Sequence, residues 1–368
     1  MRLLIMILSL STLLHAWNLS MEDTLEADQW MQDQIEEELK PFQEGIARID
    51  VKKSYAAIEK SFAGAYAPIA YVKFARGRSQ FQIPKKCLPF LKKRAEHFCH
   101  ALERLHKIAP LSNFELLLSL DQCFERPYHL HLSNVPVFTM SKSQRNKQVL
   151  LFPRGVLDPD REKKQAAILQ QAVSTPFQDR QPKIYWRLTT FDRSAIEFDW
   201  RLGPTIPLLY LAQKNPEQLD FKIPECSKQF ISAKIRGPLS RHIYAVGMDE
   251  TEFINYRYLL ALDQRSTPRD FENHLFSGSI IMRAATNFSD CFTRLLKPYQ
   301  HYIPLDKRGE GVFDALLWCE QNNQALGKIA EAAQTFAKEQ LSDRQIFKYF
   351  HHLIDAYTTL LNGDESHE

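Results

Sequence analysis

Read for the spacing of its apolar positions, the chain changes character twice. The segment EDTLEADQWMQDQIEEELKPF is acidic with helical periodicity and is closed by Pro41, and a second amphipathic helix follows a break at Gly45. In PKKCLPFLKKRAEHFCHALERLHKIAP, Leu91, Ala95, Phe98, Ala101 and Leu102 recur on one helical face. The basic residues opposite read as a solvated surface. From Phe114 the apolar runs shorten to strand length: FELLLSL, VPVFTM and QVLLFP, followed by a helix in EKKQAAILQQAV. Then come strand PKIYWRL, helix TIPLLYLAQKN, strands QLDFKI and YRYLLAL, helix PRDFENHLF and strand GSIIMR. The last third reads as helices, GVFDALLWCEQ, ALGKIAEAAQTFAKEQ and DRQIFKYFHHLIDAYTTLL. Strands alternating with helices predict βαβ units and parallel sheet, an α/β fold. The stretch LLKPYQHYIPLD interrupts this order with Pro298, Pro304, His301, Tyr299 and Tyr302 between two apparent helices, more aromatic surface than a connector needs.

Ligands of open α/β sheets sit beyond the carboxyl ends of the strands. That rule selects DQCFERP, RLTTFDR, DQRSTPR and LKPYQHYIP. In the third, Ser266 and Thr267 precede Pro268 at an expected first helical turn with Arg269 beside them, which would offer an anion hydroxyls, free backbone N–H groups and a guanidinium. The plainer reading is an ordinary helix cap with a surface arginine. Arg187, Thr189, Thr190 and Arg193 form a similar cluster after another strand. Asp121, ending an apolar strand, is a candidate general base or a turn-forming aspartate. His129 and His131 share a strand face but have no evident third metal ligand. No GxSxG nucleophile motif occurs.

Composition narrows the choice. The 368 residues allow two domains, and 44% hydrophobic with 25% charged residues suits a soluble globular chain. With 47 basic and 44 acidic residues, nucleic acid is not the expected partner. Twelve glycines include no glycine-rich phosphate loop, so side chains and helix ends would have to hold any nucleotide. Six cysteines lack zinc spacing and leave disulfides or core thiols open. Arg2, the apolar run from Leu3 to Leu14, and Ala16 read as a signal peptide over 1–16, with an uncleaved short anchor or a buried strand as alternatives.

The ordered set YRYLLALDQRSTPRDFENHLFSGSIIMR, LLKPYQHYIPLD and IAEAAQTFAKEQLSDRQIFKYFHHLIDAY resembles the C-terminal half of glycosyltransferase family 90, which holds protein O-glucosyltransferases and bacterial lipopolysaccharide glycosyltransferases. IEEELKPFQEGI is similar to that family's entry segment, VPVFTMSK to its second strand region and YWRLTT to its Trp-Arg-Gly-Ser/Thr motif, so that the resemblance runs from about Ile35 to Tyr357. It implies a GT-B-like fold: two Rossmann-like domains facing a cleft, over 17–175 and 176–340, and a C-terminal helix and tail, 341–368, crossing back. It also implies inverting transfer without a metal or cofactor, from a nucleotide sugar, expected to be UDP-linked, to a hydroxyl of a glycan, lipopolysaccharide or protein. Membrane proximity without a spanning helix is expected, in the secretory pathway or exported if the leader is cleaved, or at the cytoplasmic face of a bacterial membrane if it is not.

By position the resemblance assigns the diphosphate to Arg269 with Thr267 and nucleotide-sugar contacts to Arg187 and Thr189; the neighbouring hydroxyls Ser266 and Thr190 are counted with them, and Asp121 is taken as the base. The resemblance makes His301 and Tyr302 part of a rigid interdomain turn. The sequence departs from the family pattern in four places. Leu188 replaces the motif glycine, and Asp263-Gln264 stands for Asp-Gly. Ungapped alignment puts Gln122 rather than Asp121 at the catalytic aspartate, and Thr205 at a further arginine for which Arg201 is the nearest substitute. Those departures motivate the alternative of a non-catalytic relative that binds a glycan or nucleotide, while the acidic N-terminal helix motivates an interaction protein.

Overall fold

The structure is a computed structural model that describes residues 28–61, 68–85, 87–124, 135–188, 205–225, 243–245, 249–263, 266–284, 287–306, 309 and 311–362. The leader over 1–16 and His129, His131, Thr189, Thr190, Arg193, Arg201, Cys226 and Gln264 lie outside the described residues. The chain divides into two compact units, one running to Pro159 and resuming at Asp343, the other spanning Asp160–Ser342. The helix over 161–174 thus falls in the second unit, although the expected boundary at 175 puts it in the first.

In the first unit, α1 (Gln29–Leu39) buries Met31, Ile35 and Leu39 at four-residue spacing, together with Gln34 and Glu38. Past Pro41 the chain turns at Gly45, whose φ of +92° suits a residue without a Cβ, into α2 (Arg48–Ser61). There follow β1 (Ile69–Ala75), β2 (Arg78–Gln82), α3 (Pro89–Ile108), β3 (Phe114–Ser119), β4 (Val137–Thr139) and β5 (Val149–Leu151). The sheet order is β2-β1-β3-β4-β5; β1 pairs antiparallel with both neighbours, and the other two pairings are parallel. The β1–β2 hairpin, absent from the sequence reading, turns through Arg76 and Gly77, both at positive φ, as a tight two-residue hairpin turn requires. The expected parallel sheet is therefore mixed in this unit.

The second unit comprises α4 (Arg161–Ser174), β6 (Gln181–Arg187), α5 (Thr205–Lys214), β7 (Leu219–Pro224), β8 (Tyr244–Ala245), β9 (Tyr256–Ala261), α6 (Phe271–Phe276), β10 (Ile280–Ala284), β11 (Ile303–Leu305), α7 (Val312–Gln321) and α8 (Asn323–Gln340). Its six strands are all parallel in the order β8-β7-β6-β9-β10-β11. Trp186, Phe221, Leu260 and Met282 on one face share a core with Leu209 of α5 and Val312 of α7. α4 is tied in by the buried Arg161, which donates to the Leu341 carbonyl and lies 3.4 Å from Glu272 of α6. LLKPYQHYIPLD is not a link between two helices: it is a turn, closed by a bridge between Pro298 and Tyr302, leading into the edge strand β11.

The last helix, α9 (Asp343–Thr359), belongs to the first unit, as the resemblance implied. Its Tyr349 hydroxyl donates to the Leu151 carbonyl at 3.2 Å and its Tyr357 hydroxyl to that of Glu115 at 2.7 Å. Phe350, Leu353, Ile354 and Tyr357 are completely buried. No helix among the described residues is long and apolar enough to cross a membrane, and the five described cysteines are free thiols.

Candidate functional site

The strand order of the second unit reverses between β6 and β9: the chain builds outward from β6 through β7 and β8, then returns to lay β9, β10 and β11 on the other side. In a parallel sheet such a switch opens a crevice beyond the carboxyl ends of the two central strands, because the connections on either side diverge to opposite faces. Arg187 ends one of these strands, with Leu188 directly after it, and the segment carrying Ser266, Thr267 and Arg269 follows the other.

That segment is built differently from the expectation. The helix begins at Phe271, with Asp270 at its cap position, and runs six residues; Pro268 instead opens a turn in which its carbonyl accepts the Phe271 N–H at 3.2 Å. Ser266 and Thr267 are therefore not in a helical first turn. Both are buried, and the Ser266 hydroxyl donates to the Thr267 carbonyl at 3.1 Å. Arg269 sits at the outer corner of this turn, exposed, and makes no hydrogen bond or ion pair with any described residue. Its guanidinium is free to take a ligand.

Arg187 behaves in the opposite way. Its guanidinium folds back over the sheet, donating to the Asp220 carbonyl at 2.7 Å and meeting the carboxylates of Asp220 at 3.0 Å and Glu252 at 3.1 Å. It lies 4.1 Å from the centre of the Tyr185 ring. Burial by itself would raise the Asp220 pKa, but the bonds from Arg187 and Tyr256 and the charge of Lys222 outweigh it and hold the carboxyl below its ordinary range. In this arrangement Arg187 is an internal counter-ion of β7 and of the turn before β9 rather than a free donor beyond β6. Leu188, at the position of the motif glycine, turns into the core beside Trp186 and Phe221. Thr205, half-buried, opens α5.

In the first unit, Asp121 lies past the end of β3, in a bend. The alternation that would force Asp121 and Gln122 to opposite faces therefore does not apply to them. The Asp121 carboxylate is half-buried and accepts the Gln122 N–H at 2.8 Å. The bend is held from β4 by Thr139, whose hydroxyl accepts the Phe124 N–H at 3.2 Å and donates to the Ser141 carbonyl at 3.1 Å.

His301 is a packing residue: its Nδ1 accepts the Lys297 N–H at 3.1 Å and its ring lies 5.1 Å from that of Phe336. Burial, with Lys297 nearby, lowers its pKa. A polar groove of about 390 Å³ lined by Gln300, His301, Lys328, Glu331 and Thr335 lies on the amino side of β11, not beyond the carboxyl ends. No group of three or more His, Cys, Asp or Glu is gathered to hold a metal ion among the described residues.

Residues 108–367 match the family model described as glycosyl transferase family 90. Human protein O-glucosyltransferase 1 is 22% identical over 345 residues, covering 89% of this chain and 79% of its own length. Zebrafish (Danio rerio) protein O-glucosyltransferase 2 is 24% identical over 155 residues, 42% of this chain and 30% of its own. Among solved structures, Anabaena HepE in complex with UDP and glucose is similar over 60% of this chain and 63% of its own, with 12% identity and a TM-score of 0.38.

Proposed function

The chain belongs to glycosyl transferase family 90, and on that premise we propose that it moves a sugar, with inversion and without a bound metal, from a UDP-linked donor to an acceptor hydroxyl. The names of its relatives favour glucose as the sugar and a protein as the acceptor, with a glycan or lipopolysaccharide as the other acceptors consistent with the family. The observation that carries the reading is Arg269, an uncommitted cation on the segment leaving β9 at the point where strand order reverses. A diphosphate is the group such a guanidinium is shaped to grip, through parallel charge-assisted hydrogen bonds.

In the proposed reaction the acceptor oxygen attacks the anomeric carbon from the side opposite the diphosphate. Asp121 takes the hydroxyl proton, and the bond to the diphosphate breaks with both electrons leaving on the nucleotide, whose charge Arg269 stabilises. The roles separate in mutants. Asp121→Asn is expected to bind donor as the wild type does and to lose at least about 100-fold in transfer rate. Arg269→Ala, at an exposed position, is expected to keep its unfolding temperature and to lose the stabilisation that UDP-glucose confers on the wild type. Full transfer by Asp121→Asn would remove Asp121 from the mechanism.

A further inference from the structure

Arg283 is the fourth residue of β10, 4% exposed, and pairs in register with Ala261 of β9. Strand alternation puts it on the face opposite Met282 and Ala284, which point into the core shared with α5 and α7. Its Nε and Nη2 are sealed from solvent and neither has a hydrogen-bond partner. Among the described residues no carboxylate pairs with it. What surrounds it are rings: Phe271 at 4.5 Å and Tyr302 at 5.7 Å from the guanidinium carbon.

The other buried arginines of this unit show what the fold normally supplies. Arg161 has Glu272 and a carbonyl. Arg180 has the carbonyls of Thr175, Ser277 and Ala172 and the Ser279 hydroxyl. Arg187 has two carboxylates. Arg283 has only aromatic faces, and cation–π contact does not replace the hydrogen bonds that a desolvated guanidinium has given up. Single buried atoms such as Arg187 Nε and His274 Nδ1 also lack partners, but Arg283 has two unmet guanidinium nitrogens and no carboxylate to balance its charge, which marks a place that an anionic ligand completes. Its location says which ligand: Phe271, the ring over the guanidinium, is two residues beyond the exposed Arg269, and β10 is the strand next to the switch point.

We infer that Arg283 is a second, buried arginine of the donor site, completing its hydrogen bonds on a phosphate oxygen of the donor diphosphate while Arg269 grips that diphosphate from the solvent side. This rests on the nucleotide-sugar reading above. Removing an unmatched buried charge does not harm a fold, whereas removing a packing pillar does. The two roles therefore predict opposite results.

The test is calorimetric titration of UDP and UMP into the full-length wild type, Arg283→Met, Arg283→Lys and Arg269→Ala, with the unfolding temperature of each. Arg283→Met is expected to unfold at or above the wild-type temperature, to bind UDP at least about tenfold more weakly, and to lose the preference for UDP over UMP. Arg283→Lys keeps the charge but not the fork, so it is expected to fold and to bind UDP with intermediate affinity. If the methionine variant fails to fold, the lysine variant decides, and wild-type UDP affinity in it overturns the inference. Arg283→Met with a lowered unfolding temperature and unchanged UDP affinity overturns it too, whereas loss of binding in Arg269→Ala alone would leave the nucleotide-sugar reading standing. A wild type that binds neither UDP nor UDP-glucose overturns both.

Discussion

Arg187 and Arg269 have the same side chain and open different possibilities, because one is surrounded by carboxylates and the other by solvent. Truncating Arg187 to methionine strands Asp220 and Glu252 beside a buried ring cluster, and breaking such a buried pair costs about 3–5 kcal/mol, a loss to be read from urea unfolding at pH 7. Asp220 carries the matching pH dependence. Its folded pKa lies below the unfolded value, so its contribution is fully present above the ordinary carboxylate range and is lost as the pH falls through the depressed folded value. Asp220→Asn is therefore expected to flatten the acid limb of stability against pH; an unchanged acid limb would show that other carboxylates set it. Sequence spacing assigns both Arg187 and Arg269 to the ligand and carries no sign of Asp220 and Glu252, which reach Arg187 only through the parallel pairing of β6 with β7 and β9. Arg283 is illegible in the sequence for a related reason. A single arginine closing the apolar run GSIIMR carries no signal in one dimension that its partner is missing.

At the scale of elements, helices and central strands followed from periodicity, while turns and edges did not. The β1–β2 hairpin was legible in retrospect from Arg76-Gly77 between two strand-length runs, but β2 alternates exposed with half-buried residues and offers no apolar run of its own. A Cβ added to Gly77 would lie 2.9 Å from the His106 Nε2 at a φ of +73°, so Gly77→Ala is expected to destabilise the first unit. α6 starts three residues later than a proline-led helix would, since Pro268 serves the preceding turn. Glu38 shows how one side chain fastens an element. Fully buried on α1, it accepts the Leu151 N–H at 2.6 Å and lies 3.2 Å from the Lys142 ammonium, joining the helix to the carboxyl end of β5. Glu38→Ala leaves that amide and ammonium unmatched and is expected to cost about 2–4 kcal/mol, measurable as a lower urea midpoint.

For the whole molecule, the sequence pattern reached the α/β class and the family resemblance the C-terminal crossover, but neither reached the difference between the two sheets. A strand with parallel neighbours on both sides and a strand with one antiparallel neighbour read alike when both are short, mostly apolar runs, as β9 and β3 are. The chain's return to its first unit through α9 makes that unit discontinuous, so a chain ending at Ser342 is expected to lose the folded first unit along with Phe350, Leu353, Ile354 and Tyr357. Circular dichroism and limited proteolysis of that truncation would show it, and a first unit that stays protected without α9 would contradict the expectation.

Functionally, what the molecule presents is a parallel sheet whose order reverses beneath an uncommitted arginine. The measurement that tests this most directly is calorimetric titration of UDP-glucose into the wild type and Arg269→Ala at matched stability. The account predicts saturable one-site binding to the wild type and none to the variant. Equal binding by both proteins would contradict it and place the donor elsewhere.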